Sequence, residues 1–104
     1  MHKLLRYVIP LSETDEIWVH LTFVEPGRLS EASVHYRAFI RNQWHEVSRY
    51  DNAHGFPHRH RFWLRRSQRV FAPSLRPEAM VELAKTDFKQ NWVRYRALME
   101  AQTR

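Results

Sequence analysis

The stretch Glu16–Arg41, EIWVHLTFVEPGRLSEASVHYRAFIR, sets the architecture. In Glu16–Val24, Ile17, Val19, Leu21 and Phe23 share one face of an extended strand, and Trp18, His20 and Thr22 share the other. In Ala32–Arg41, Val34, Tyr36, Ala38 and Ile40 alternate with His35, Arg37, Phe39 and Arg41. Glu25-Pro-Gly-Arg28 between them is turn chemistry. A turn centred on Arg28-Leu29 sets Phe23 against Val34, Leu21 against Tyr36, Val19 against Ala38 and Ile17 against Ile40. A slip of one residue would mix the faces, which favours this register. One face is then aliphatic, and the other carries Trp18, His20, Thr22, His35, Arg37 and Phe39.

Working outward, Lys3–Ile9 reads as a first strand ending at Pro10, with a turn over Leu11–Asp15. On the other side, Asn42-Gln43 is a tight turn. Trp44–Tyr50 returns as a strand, with His45, Val47 and Arg49 alternating against Trp44, Glu46, Ser48 and Tyr50. A further strand runs over about His60–Arg65, and a turn at Ser67-Gln68 leads to Arg69–Ala72. Pro73–Pro77 is a linker, and Pro77 suits the first turn of a helix. From Glu78 to Gln102, Met80, Leu83, Ala84, Phe88, Trp92, Tyr95, Leu98 and Met99 form one apolar stripe, flanked by Lys85, Lys89 and Arg96 as a solvated charged edge.

The expected fold class is α+β: an antiparallel sheet of about five or six strands with one long C-terminal helix packed on one face. Residues 1–104 make a single domain, mostly β over 3–72 and helical over 77–102. The helix covers the aliphatic face. Trp18, Phe39, Trp44 and Tyr50 are left among His and Arg on the open face, which either binds a ligand or packs on a second copy as a homodimer.

The chain has no cysteine, which excludes disulfides and thiolate chemistry and fits a cytoplasmic location. The N-terminal apolar run is interrupted by Arg6 and Pro10, so it reads as a strand and not as a signal peptide. No run approaches the roughly 18 apolar residues of a membrane span. The net charge of +6 favours a polyanionic partner. No acid occurs between Asn52 and Pro77, whereas Arg59, Arg61, Arg65, Arg66, Arg69 and Arg76 all do. The planar guanidinium matches phosphate and carboxylate in a way a solubilising Lys does not.

The richest chemistry lies in Arg49–Arg66, RYDNAHGFPHRHRFWLRR, which holds one of two glycines and three of seven histidines. Asp51 and Asn52 can cap backbone amides and Gly55 can take a positive φ, so part of this string is simply a well-made polar turn. His58 and His60 are two apart and share a strand face, with His54 nearby. Three readings follow. In the first, His54, His58 and His60 do acid–base work on RNA, Asp51 orients one of them, and Arg49, Arg59, Arg61, Arg65 and Arg66 hold phosphate, with no metal or other cofactor. In the second, the three histidines ligate a metal, with Asp51 as a fourth ligand or as a partner behind one of them, opposed by the charge of Arg59 and Arg61. In the third, the same groups bind nucleic acid or an acidic protein without chemistry. His2, His20, His35 and His45 receive no role, although His20 and His35 share a face.

RYDNAHGFPHRH also resembles the signature of small prokaryotic proteins related to the TumE-type toxins of type II toxin–antitoxin systems. Arg49, Tyr50, Asp51, Asn52, Ala53, His54, Phe56, Pro57, His58 and His60 carry the match. The turn is shorter than in TumE-like proteins, and the chain continues into a helix, as in a sister family without an assigned function. The resemblance implies a toxin-like role and an antitoxin partner, but no particular reaction. Together these readings lead to a small basic cytoplasmic protein acting on nucleic acid, RNA before DNA, as a ribonuclease-like toxin. The rival is a non-catalytic binding module.

Overall fold

The computed structural model describes residues 2–53, 55–66, 69–70 and 73–103. Its elements are β1 (Lys3–Ser12), β2 (Asp15–Glu25), β3 (Arg28–Ile40), β4 (Gln43–Asp51), β5 (His58–Arg61), β6 (Arg69–Val70) and α1 (Pro77–Gln102). The strands form a six-stranded antiparallel sheet in the order β1-β2-β3-β4-β5-β6. Helix α1 packs on one face of that sheet, mainly over β3 and β4. Antiparallel neighbours in sequence need only short turns, and each turn has its own chemistry. Pro26-Gly27 closes β2 onto β3 with Gly27 at φ +75. Arg41 and Asn42 close β3 onto β4 with φ 53 and 66, the two positive values a hairpin turn matched to strand twist requires.

The core forms where the aliphatic face meets the helix. Ile17, Val19, Val34, Tyr36 and Ala38 from the sheet and Met80, Ala84 and Phe88 from the helix are all 0% exposed. The Phe88 ring sits 5.9 Å from Tyr36 and 5.5 Å from Tyr50. Two polar latches fix the helix across this core. At one, Asp15 accepts hydrogen bonds from Tyr36 (2.6 Å) and Arg96 (3.0 Å), and Arg96 also donates to the Phe39 carbonyl (2.8 Å). At the other, Asp87 accepts from Tyr50 (2.8 Å), Tyr95 (2.6 Å) and Asn91 (2.8 Å). Pro77 opens the helix, and the Thr103 amide closes it on the Met99 carbonyl at 3.0 Å.

Several boundaries differ from the sequence reading, each for a physical reason. Strand β1 runs through Pro10 to Ser12, because an edge strand can spare one backbone donor. Asp15 is not a turn residue: it opens β2 and is 1% exposed. Ile17 pairs with Tyr36 and Val19 with Val34, four residues from the expected register. The tight Pro26-Gly27 turn causes that shift, and an even shift leaves each residue on its expected face. The next turn is Arg41-Asn42, one residue early. Strand β5 is His58–Arg61 and not 60–65. On the helix Val81 is buried, whereas Leu83 and Leu98 are 37% and 41% exposed. Arg96 is not on a solvated edge but turns inward to Asp15. The expected turn at Ser67-Gln68 and the end of the following strand, Phe71 and Ala72, lie outside the described residues.

Candidate functional site

An irregularity in β4 organises the open face around the histidines. Arg37 pairs with Glu46 and Tyr36 with Ser48, so Val47 is an extra residue in β4. Such a β-bulge disrupts the ladder locally and resets the alternation that follows. Val47 and Ser48 are both 0% exposed. Beyond them Tyr50 turns to the helix, while Arg49 and Asp51 turn to the open face with Glu46. Unbroken alternation had set Tyr50 on the open face and Arg49 beside Val47, and the bulge corrects both. Strand β5 is locked to this geometry, with the Phe62 amide on the Val47 carbonyl (3.0 Å) and the Ser48 hydroxyl on the His60 carbonyl (2.7 Å).

Arg49 is the register partner of His35 on β3 and of His60 on β5. The three side chains thus form a row across adjacent strands. With neighbouring strands about 4.8 Å apart, the two histidine backbones stand about 10 Å apart with the guanidinium between them. Each histidine has its own carboxylate. His35 Nδ1 is 2.7 Å from Glu46 Oε1, and its Nε2 is 2.8 Å from the Ser33 hydroxyl. His60 Nε2 is 3.3 Å from Asp51 Oδ2. Arg49 joins the pairs: Nη1 donates to Glu46 Oε1 at 3.3 Å, and Nε lies 2.9 Å from Asp51 Oδ2 as an ion pair without an aligned hydrogen bond. Phe62 backs the row, stacked parallel on His60 at 5.7 Å and lying 5.4 Å beneath Arg49.

The electrostatics divide the groups. His60 is pushed below the usual histidine pKa by burial and then by Arg49, with Asp51 opposing. His20, whose ring lies 5.2 Å from His35, is lowered by burial, His35 and Arg6. Burial works against the ionised form of Glu46. The hydrogen bond from His35 and the charges of His35, Arg49 and Arg37 outweigh it, and Glu46 lies below the ordinary carboxylate range. The site therefore offers a neutral imidazole at His60 near pH 7 and a firmly ionised carboxylate at Glu46.

The residues expected from the sequence separate into groups. His60, His58, Asp51 and Arg49 share the open face, with His58 buried opposite Asp51 and its ring 6.5 Å from that of His60. Arg59 does not join them. It stands opposite Tyr50 on the helix face, donates to the Tyr95 hydroxyl at 2.8 Å and lies 3.4 Å from Asp87. Arg61, opposite Ser48, falls on that same side. Successive strand residues point to opposite faces, so Arg59 and Arg61 could not accompany His58 and His60. Arg65 and Arg66 are exposed in the bends after β5. His54 lies outside the described residues.

The turn chemistry of this segment is realised too. Asp51 Oδ1 accepts the Ala53 amide (3.1 Å), Asn52 ties back to Ala32 and Ser30, and Gly55 has φ +82. His35 and Glu46 are the site residues the sequence reading missed. The shared face of His20 and His35 was visible, but the meeting of His35 with Glu46 depends on the bulge.

Among the described residues, no three His, Cys, Asp or Glu side chains are grouped as a metal ion would require. Nor is any described helix long and apolar enough to cross a membrane. No curated protein and no solved structure matches the chain. A family model matches residues 1–104, and by it the chain belongs to the DUF7718 family, a domain of unknown function.

Proposed function

We propose that this chain acts on RNA through the open face of its sheet, as a toxin-like ribonuclease. The observation that carries the reading is the row His35–Arg49–His60, with a carboxylate behind each histidine. Two imidazoles flanking a guanidinium supply a base, an acid and an anion holder on one surface. His60 Nε2 lies 3.3 Å from Asp51 Oδ2 as a charge contact without an aligned hydrogen bond, and its neutral imidazole is the group that accepts a proton. His35 has a hydrogen-bond partner at each ring nitrogen, Glu46 at Nδ1 and the Ser33 hydroxyl at Nε2. Arg49 uses Nε and Nη1 on the two carboxylates, and Nη2 is outside both pairs.

The reaction this supports is transphosphorylation. The ribose 2′-oxygen bonds to phosphorus as its proton passes to His60. The bond from phosphorus to the 5′-oxygen breaks, and His35 gives that oxygen the proton on Nε2 as the Ser33 hydroxyl turns aside. The products are a 2′,3′-cyclic phosphate and a 5′-hydroxyl. DNA lacks the 2′-hydroxyl, which makes RNA the substrate. The net charge of +6 and the exposed Arg65 and Arg66 favour approach of the polyanion. The resemblance of RYDNAHGFPHRH to TumE-type toxins supports the same reading and adds an antitoxin partner, and a chain without cysteine fits a cytoplasmic site of action.

A second reading, binding without chemistry, is favoured by the exposed Arg65 and Arg66, which lie outside the histidine row and suit a polyanion. Induced expression separates the two. Wild type is expected to arrest growth and degrade cellular RNA, while His60→Ala and His35→Ala, folded by circular dichroism, do not. Variants as toxic as wild type, or a harmless wild type, would overturn the ribonuclease reading.

A further inference from the structure

Beside the row lies a depression of about 170 Å³, lined by His20, Thr22, Glu31, Ser33, Asp51 and Asn52. Sites for drug-sized ligands run to roughly 300–1,000 Å³, so this one takes a single ring system and not a whole nucleotide. It shares the Asp51 wall with the His60 pair, which puts its occupant next to the acid–base groups. Resting on the ribonuclease reading, we infer that this depression is the base-recognition subsite and that Glu31 selects guanine.

The groups left to meet a ligand decide the chemistry. The Asn52 side chain is already spent on the Ala32 amide (2.9 Å) and the Ser30 carbonyl (3.1 Å), which fixes the floor. The Ser33 hydroxyl is held by His35 at 2.8 Å. Asp51 is held by Arg49 at 2.9 Å and by the Ala53 amide at 3.1 Å. Among the described residues, Glu31 makes no hydrogen bond or ion pair, and it faces the depression from β3 opposite Thr22. An ionised carboxylate accepts two parallel hydrogen bonds and donates none. Its partner must therefore present two adjacent N–H donors in one plane. Among the four RNA bases only guanine does so, through N1–H and the 2-amino group. Adenine and cytosine each set an amino group beside a ring acceptor, and uracil flanks its single N–H with carbonyls. The His20 ring, kept neutral by its surroundings, offers a stacking surface at the same wall.

The test uses the whole chain and three probes: 3′-guanylate, 3′-inosinate and 3′-adenylate. Amide shifts are followed by NMR for wild type and Glu31→Gln, and RNA cleavage sites are mapped in parallel. Gln presents one acceptor and one donor and cannot complete the pair. The expected result is tighter binding of guanylate than of adenylate or inosinate, by tenfold or more, with shifts at Thr22, Glu31 and Ser33. Glu31→Gln, folded by its amide spectrum, would lose that preference. Equal binding of guanylate and adenylate, or a Glu31→Gln variant that keeps the preference, overturns the inference. Guanylate-selective binding without RNA cleavage would sustain the subsite and remove the catalytic reading. Cleavage without base preference would do the reverse.

Discussion

Replacing Asp15 by Asn should cost about 3 kcal/mol, far more than a turn residue would. Asp15 is 1% exposed and accepts four side-chain hydrogen bonds: Ser12 and Tyr36 at 2.6 Å, Thr14 and Arg96 at 3.0 Å. A hydrogen bond to a charged group contributes about 1.5–3 kcal/mol, but the four losses do not add. Ser12 is exposed and Thr14 half-buried, so both can turn to water. Tyr36 keeps a contact with the Trp92 carbonyl at 3.3 Å, and Arg96 keeps the Phe39 carbonyl at 2.8 Å. Asn retains one acceptor oxygen but points an amino group at the remaining donors. Urea unfolding at neutral pH checks the figure. With a slope of about 1–3 kcal/mol per molar, the midpoint should fall by about 1–3 M. A double-mutant cycle with Arg96→Met should show coupling of about 1–2 kcal/mol. A change below about 0.5 kcal/mol is what a plain surface position gives, and would refute the latch.

Three further outcomes follow from the same structure. Phe88→Ala, emptying a 0% exposed site between two tyrosine rings, should cost about 3–5 kcal/mol in the same unfolding assay. In alkali, Tyr36, Tyr50 and Tyr95 are each raised above their ordinary 10.0, first by burial and then by the carboxylate each bonds. The unfolded chain loses those protons first, so stability should fall as pH rises past 10.0, with the tyrosinate absorbance of these three appearing only on unfolding. In acid, His20 and His60 lie below their ordinary 6.5, so the unfolded chain binds protons first and stability should be lost as pH falls below that value. A His20→Asn/His60→Asn chain should show a flatter stability profile between pH 7 and 5.

The fold was legible where alternation was unbroken. Ile17 to Phe23 and Val34 to Ile40 declare their faces, and an even register error leaves those faces intact. The stripe from Met80 to Met99 declares the helix. What alternation could not reveal is the extra residue at Val47. A bulge leaves no periodic signature, because one strand simply holds two residues against one. Everything downstream in β4 therefore changed sides, taking Arg49 and Asp51 to the open face and Tyr50 to the helix. The separation of His58 and His60 from Arg59 and Arg61 was available from strand parity, and the run of basic residues obscured it. The burial of Asp15 and the inward turn of Arg96 depend on a contact across 81 residues of chain, which no local pattern carries.

The most direct measurement is cleavage of a short RNA by the purified chain in the presence of a chelator. It is run beside the same strand carrying a single 2′-deoxy substitution at the cleaved position. The account predicts a 2′,3′-cyclic phosphate product from the RNA and none from the substituted strand, with His60→Ala slowed by about 10²–10⁴-fold. Cleavage of the 2′-deoxy strand at an equal rate, or His60→Ala as active as wild type, would contradict it.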